Sequence, residues 1–160
     1  MNVPIVVAGD ATDLPAVVAV MEDAFDPRFG EAWTLAQCAG LLPMPGVWLT
    51  LARDAEGALA GFSLSRIVLD EAELLLLAVA RAAQGHGVGA ALLKHFEDDA
   101  ALRGARRLHL EVRDGNAAVN LYNRSGFTLV GRRSRYYSGD DGQLYDALSL
   151  SRPLNMIATT

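Results

Sequence analysis

The apolar residues of this chain switch between two spacings, and the switches mark out its elements. Val3 to Ala8 is a short apolar stretch that reads as a first strand. Leu14, Val17, Val18, Met21 and Phe25 then recur at the spacing of an amphipathic helix. Thr12 stands where an N-cap belongs, Asp13 adds negative charge to the first turn, and Pro15 is early enough to be tolerated. Asp26-Pro27 stops that helix, and Glu31 to Leu41 reads as a second, shorter one closed by Pro43 and Pro45.

Val47 to Arg53 and Ala58 to Val68 read as strands joined by the turn Asp54-Ala55-Glu56-Gly57. Asp70-Glu71 turns the chain into a third, Glu73 to Val79 (ELLLLAV), apolar enough to be buried. Val88, Leu92, Phe96 and Ala100 lie along one face of a helix running to about Arg103, with Gly104 as its stop signal. Arg107 to Val112 alternates, placing Leu108, Leu110 and Val112 on one face of a strand. Asn116 to Arg124 reads as a short helix ended by Gly126, and Phe127 to Val130 starts the next strand. A hairpin at Gly139-Asp140-Asp141-Gly142 leads into Leu144 to Leu150. The order β-α-α-β-β-β-α-β-α-β-β, without repeat, low-complexity segment or linker, predicts one mixed α/β layer structure.

Composition narrows the class. A chain of 160 residues, 51% hydrophobic and 21% charged, fits one folded domain with a real core. No apolar run approaches the roughly 20 residues of a membrane span, and MNVPIVVAGD lacks the basic-then-apolar order of a signal peptide. Cys38 is the single cysteine, which leaves no internal disulfide and suits a reducing cytoplasm. His86, His95 and His109 lack metal-ligand spacing, so no metal is expected. Asn123-Arg124-Ser125 has the form of a glycosylation acceptor but lacks the export context that would make it one. A net charge of −5 argues against a general nucleic-acid binder and suits a cationic substrate such as an amine.

Gln84-Gly85-His86-Gly87-Val88-Gly89, between the ELLLLAV strand and the following helix, is where chemistry is concentrated. Glycines let the backbone approach a ligand, and a helix start offers free N–H groups at the positive end of its dipole. Together these form a pyrophosphate cradle. A nucleotide P-loop would need Lys-Ser/Thr after the last glycine, and none follows Gly89. A dinucleotide fold would place Gly-x-Gly-x-x-Gly in the first βαβ unit, whereas here three strands and two helices come first. Two readings stay open on these residues alone: an acyl-CoA cradle, and a glycine-rich strand-to-helix turn that holds no ligand.

The pattern Gln84-x-x-Gly87-x-Gly89 after ELLLLAV resembles the pyrophosphate loop of the GCN5-related N-acetyltransferases (GNAT family). Leu110-Glu111-Val112-Arg113, Asn116 and Ala118-Val119-Asn120-Leu121-Tyr122-x-x-x-Gly126-Phe127 resemble the second half of that family. Arg132-Arg133, Tyr136-Tyr137, Asp140-Asp141-Gly142 and Asp146-Ala147 extend the likeness, as do Asp13-Leu14-Pro15 and Ile67 to Ala72 upstream. The branch most resembled is the bacterial ribosomal-protein alanine N-acetyltransferases. The likeness covers most of residues 4–152 and is thinnest from Asp26 to Val47. It implies an α/β (α+β) fold, a single GNAT domain over residues 1–152 with a mixed, mostly antiparallel central sheet flanked by about four helices. Residues 153–160 would be a short C-terminal tail.

The resemblance also implies roles. The pantetheine arm of acetyl-CoA would pair with the backbone of Leu77, Ala78 and Val79, and the N–H groups of Gly85, His86, Gly87, Val88, Gly89 and Ala90 would hold the pyrophosphate. Gln84 and His86 would line the loop, His86 at an exposed position. Glu111 matches the family's general base and Tyr122 its general acid. A phenol with an ordinary pKa near 10 is protonated at neutral pH and can donate. A glutamate near about 4.3 is a poor base, so Glu111 is expected to have a raised pKa. The plain alternatives are Glu111 as a solvated partner of Arg113 and Tyr122 as core packing. Asn116, matching the family's cofactor-contacting asparagine, stands six positions before the tyrosine where the family has seven. Arg132, Arg133 and Arg135 have either the 3′-phosphate of CoA, a substrate or solvent to face. The implied acceptor is a protein N-terminus, such as the N-terminal alanine of a ribosomal protein. The divergent loop from Asp26 to Trp33 keeps a small-molecule amine as the alternative. A non-catalytic acetyl-CoA-binding module is a third reading.

Overall fold

The computed structural model describes residues 3–154. Its strands are β1 (Ile5–Ala8), β2 (Val47–Arg53), β3 (Leu59–Val68), β4 (Glu71–Val79), β5 (Arg107–Arg113), β6 (Thr128–Ser138) and β7 (Leu144–Pro153). Its helices are α1 (Leu14–Ala24), α2 (Leu35–Leu41), α3 (Val88–Leu102) and α4 (Ala118–Arg124). The strands form one seven-stranded sheet in the order β1-β2-β3-β4-β5-β7-β6, antiparallel throughout except for β4 and β5. Class and element order are those expected from the apolar spacing.

Helices cover both faces of the sheet. Leu14, Val17, Val20 and Met21 of α1 pack with Cys38 of α2 against Leu49, Leu51, Phe62 and Leu64. On the other face, Leu93, Phe96 and Ala100 of α3 join Leu108, Leu110, Val112 and Tyr122, with the Trp48 ring stacked 6.2 Å from Phe96. The four-residue stripe Val88, Leu92, Phe96 and Ala100 is buried throughout, which is why α3 forms where its spacing says.

Four boundaries depart from the reading of the sequence. Thr12 does not cap α1: it lies in a 3-10 turn, Ala11–Asp13, that leads into the helix and is itself capped by Asp10, whose side chain accepts from the Thr12 N–H while Asp13 accepts from the Asp10 N–H. The second helix begins at Leu35, because Thr34 and Gln37 form a capping box that fixes its start there and leaves Glu31 outside it. Asn116 likewise precedes α4 and accepts from the Ala118 N–H at 2.9 Å. At the other end β7 continues to Pro153, and the Leu154 N–H donates to the Arg106 carbonyl at 2.8 Å. Residues 155–160 of the expected tail lie outside the described residues.

A bulge in β4 positions the site. Leu64 faces Leu76 and Ser65 faces Leu74, so Leu75 is an extra residue without a register partner on β3. An extra residue flips the side chains that follow to the other face. Ala72 and Leu74 accordingly pack on the α3 face, whereas Leu76 and Ala78 pack on the α1 face. Among the described residues no helix is long and apolar enough to cross a membrane.

Candidate active site

The parallel ladder between β4 and β5 runs from Glu71↔Arg107 to Leu74↔Leu110 and then stops, although both strands continue. The bulge at Leu75 turns β4 away at that point. Between the parted strands opens a cleft of about 670 Å³, lined by Leu75 to Val79 on one side and Glu111 to Arg113 on the other. From Leu76 to Val79, β4 is bonded to β3 on its far edge only. Its cleft edge offers backbone donors and acceptors in strand geometry, which an extended ligand can pair with as an added strand. Leu77, Ala78 and Val79 lie on this edge.

The glycine loop closes one end of the cleft. Gly85 and Gly87 adopt positive φ of 80° and 85°, and Gly87 is the N-cap of α3. The first helical bond at this end runs from the Ala91 N–H to the Gly87 carbonyl at 3.0 Å, so the N–H groups of Val88, Gly89 and Ala90 have no carbonyl within the helix. A Cβ on Gly89 would stand 3.4 Å from Leu121 and 3.8 Å from Val79, where α3, α4 and β4 converge. A Cβ on Gly85 or Gly87 would meet nothing within 4 Å. The cradle is therefore bare backbone facing open space, which fits a pyrophosphate. Gln84 lines the loop, and its side-chain amide donates to the Val79 carbonyl at 3.0 Å, tying the loop to the strand end. Arg81 anchors it to α1 through two 2.8 Å bonds to Asp23. His86 is exposed and, unlike its neighbours, does not line the cleft.

Glu111 and Tyr122 both line the cleft. The Glu111 side chain is 19% exposed and pairs with Arg133 Nε at 2.8 Å. Burial pushes its carboxyl above the ordinary glutamate range; Arg133 pulls it back, and nearby Glu73 pushes it further up. Glu73, on β4 and also in the cleft, is itself paired with Arg66 at 3.0 Å. Arg113 does not pair with Glu111. Tyr122 is buried, with its ring edge-on to Phe127 at 6.0 Å. Burial, and then the charge of Glu31, hold its phenol well above its usual pKa, so it stays a neutral donor.

The end of the cleft away from the glycine loop is built by residues that apolar spacing passed over. Glu31 reaches Arg113 Nε at 3.1 Å and Asn116 Nδ2 at 2.8 Å, and Arg113 lies over the Phe29 ring at 3.6 Å. The Thr34-x-x-Gln37 box was the signal that could have released Glu31 from the second helix. Tyr136 and Tyr137 also face the cleft. They reach it through an irregularity in β6, where register slips between Arg133 and Tyr137 and Arg135 takes a positive φ of 55°. Asp146 holds that kink, accepting from the Arg135 N–H at 3.0 Å and from Arg132 at 2.9 Å. Burial, then Glu31 and Glu111, push the Tyr137 phenol upward as well. Arg132 is committed to Asp114 and Asp146, and Arg133 to Glu111. Among the described residues no group of three or more His, Cys, Asp or Glu is placed to hold a metal.

Residues 14–127 match the model of the acetyltransferase (GNAT) family. The chain is 36% identical over 148 residues to the ribosomal protein bS18-alanine N-acetyltransferase of Escherichia coli strain K12, covering 92% of this chain and 95% of that protein. The crystal structure of the Escherichia coli ribosomal-protein-S18-alanine N-acetyltransferase superposes with a TM-score of 0.84 over 98% of this chain and 97% of the other, at 32% identity. Streptothricin acetyltransferase of Streptomyces lavendulae is 36% identical over 111 residues, covering 64% of this chain and 56% of that enzyme. A Sinorhizobium meliloti phosphinothricin acetyltransferase in complex with AcCoA shares the fold, with a TM-score of 0.80 over 99% of this chain and 93% of the other at 20% identity. A cleft between parted parallel strands, a bare-backbone cradle at a helix start and a match across both halves of the chain have one common account: this protein belongs to the GNAT acetyltransferase family and is an acetyl-transferring enzyme.

Proposed function

We propose that the protein transfers the acetyl group of acetyl-CoA to the N-terminal α-amine of a protein, an N-terminal alanine of a ribosomal protein being the acceptor of choice. What supports this most is the meeting of Glu111 and Tyr122 in one cleft, across from an unpaired strand edge and next to a backbone cradle. In this reading the edge from Leu77 to Val79 and the N–H groups from Gly85 to Ala90 bind the cofactor, which supplies a thioester as the acetyl donor. Glu111 takes the proton that the acceptor ammonium must lose, and its burial makes it a better base than a free glutamate. Tyr122, neutral because it is buried, donates a proton to the departing sulfur as the C–S bond breaks and the C–N bond forms, and the second proton, which the nitrogen sheds on becoming an amide, restores the phenol. The match to the bS18-alanine enzyme across nearly the whole chain supports a peptide acceptor.

A small-molecule amine is the second reading, favoured by the partial match to streptothricin acetyltransferase. CoA release measured across alanine-starting peptides, polyamines and aminoglycosides separates the two. Turnover of small amines alone would remove the peptide reading. Glu111→Gln and Tyr122→Phe should each lower kcat by roughly 100-fold or more, with acetyl-CoA affinity within about twofold. Unchanged rates would return Glu111 to an ion pair with Arg133 and Tyr122 to packing. Tight acetyl-CoA binding without turnover of any amine would establish the binding-module reading.

A further inference from the structure

We propose that Glu31 is a positioning residue for acetyl transfer: by accepting from Arg113 and Asn116 together, it fastens the acceptor-side loop to the turn that launches the helix carrying Tyr122. The inference rests on the assignment of Tyr122 above. Both oxygens of Glu31 are engaged, Oε1 by Arg113 Nε at 3.1 Å and Oε2 by Asn116 Nδ2 at 2.8 Å. The Glu31 and Arg113 side chains are only 11% and 12% exposed, so this is a pair shielded from water and not a surface ion pair. Each partner passes the constraint on. Arg113 donates to the Asp114 carbonyl at 3.2 Å, and the Asn116 oxygen accepts from the Ala118 N–H at 2.9 Å.

The helix so held is α4, seven residues long. Two turns are too few to be stable alone, so flanking contacts set its orientation and that of Tyr122. On its other side Glu31 is firmly rooted. Gly30 (φ 68°) abuts the hairpin so closely that a Cβ would stand 1.9 Å from the Ser138 carbonyl oxygen. The Asp140 N–H bonds the Pro27 carbonyl at 3.3 Å, and the Trp33 N–H donates to Met21 Sδ at 3.1 Å. Asn116 accordingly serves the clamp. Its amide nitrogen is spent on Glu31 and its oxygen on the α4 start, which gives the residue a task that does not involve the cofactor.

The direction of the hydrogen bonds supplies a test. Glu31→Gln sets an amide NH2 against the Asn116 NH2, two donors face to face. Asn116→Asp sets two carboxylates together. In the double variant Glu31→Gln/Asn116→Asp, the amide at position 31 donates to the carboxylate at 116, Arg113 keeps an oxygen to bond, and net charge is unchanged. Each single variant should lower kcat by roughly 10- to 100-fold, and the double should recover to within about threefold, a non-additivity that identifies direct coupling. Acetyl-CoA Kd should stay within about twofold in all three. Singles that lose thermal stability but keep kcat, or a double variant no better than the singles, overturn the proposal. An acetyl-CoA Kd weakened more than about fivefold by Asn116→Asp would place Asn116 at the cofactor instead. The kinetics use whichever primary amine the wild-type protein acetylates, so failure of the peptide reading does not mask the result. If no amine is turned over, amide exchange decides. Residues 28–33 and 113–118 should lose protection together in the singles and regain it in the double, and separate responses refute the clamp.

Discussion

Replacing Gly30 by alanine separates two costs that usually come together, backbone conformation and contact. At φ 68° an L-residue bears a left-handed penalty of about 1–2 kcal/mol. The new methyl would also stand 1.9 Å from the Ser138 carbonyl oxygen, a backbone atom that no rotamer change can move aside. Carbon–oxygen contacts settle near about 3.3–3.6 Å, so loop and hairpin must part by well over an ångström. Overpacking of that kind costs about 1–3 kcal/mol more. The sum is roughly 2–5 kcal/mol, or on the order of 10 °C in melting temperature for a chain of this size.

Gly57 provides the control. It too has a positive φ, 85°, but a Cβ there would meet nothing within 4 Å. Gly57→Ala should therefore show only the conformational penalty of about 1–2 kcal/mol, with no change in kinetics. Gly30→Ala should lose more stability, and should also raise the KM for the amine several-fold at constant acetyl-CoA Kd, because the displaced segment carries Phe29 and Glu31 into the acceptor side of the cleft. Thermal unfolding and initial rates on the two purified variants suffice. Equal stability losses together with equal kinetics would refute the interlocked loop and hairpin as a determinant of the acceptor site.

The kcat/KM profile should fall on its acid side as Glu111 gains a proton, and burial places that fall above the ordinary glutamate range. Arg133→Ala removes the cation that favours the charged form, so the acid limb should move to higher pH; an unmoved or lowered limb would mean that another group controls it. Phe96→Ala empties a fully buried site stacked on Trp48 and should cost about 3–5 kcal/mol in urea unfolding. A loss under about 1 kcal/mol would show that α3 and Trp48 collapse into the space.

Much of the fold was legible because apolar spacing follows directly from which face is buried. Leu108, Leu110 and Val112 alternate because β5 has one face on α3, and Val88 to Ala100 repeat every four residues because α3 lies flat on the sheet. Local chemistry set the boundaries that were misplaced. The stretch Glu31 to Leu41 has helical composition, yet its first four residues are outside the helix because Thr34 and Gln37 satisfy each other's backbone donors. The bulge at Leu75 was invisible for another reason. ELLLLAV is apolar on both faces, so a one-residue slip leaves no trace in the pattern while reversing which side chains face α1.

The same distinction explains why one half of the site could be read and the other could not. The half proposed to hold the cofactor is made of backbone: the free edge of β4, two glycines with positive φ and the first turn of α3, all within one continuous stretch whose glycines mark it. The half proposed to meet the acceptor is made of side chains from Glu31, Arg113, Asn116 and Tyr137, joined by contacts that span more than 80 positions in the clamp itself. Each of those residues is unremarkable in its own neighbourhood, and only the shielded ion pair and the β6 kink bring them together. A backbone cradle tolerates changes in side chains, so transfer chemistry can persist while acceptor contacts are exchanged. The Glu111–Arg133 pair lies on the border between the halves, with Glu111 on the strand beside the cofactor edge and Arg133 on the hairpin that carries Tyr136 and Tyr137. The 2.8 Å contact between them joins strand and hairpin across the cleft.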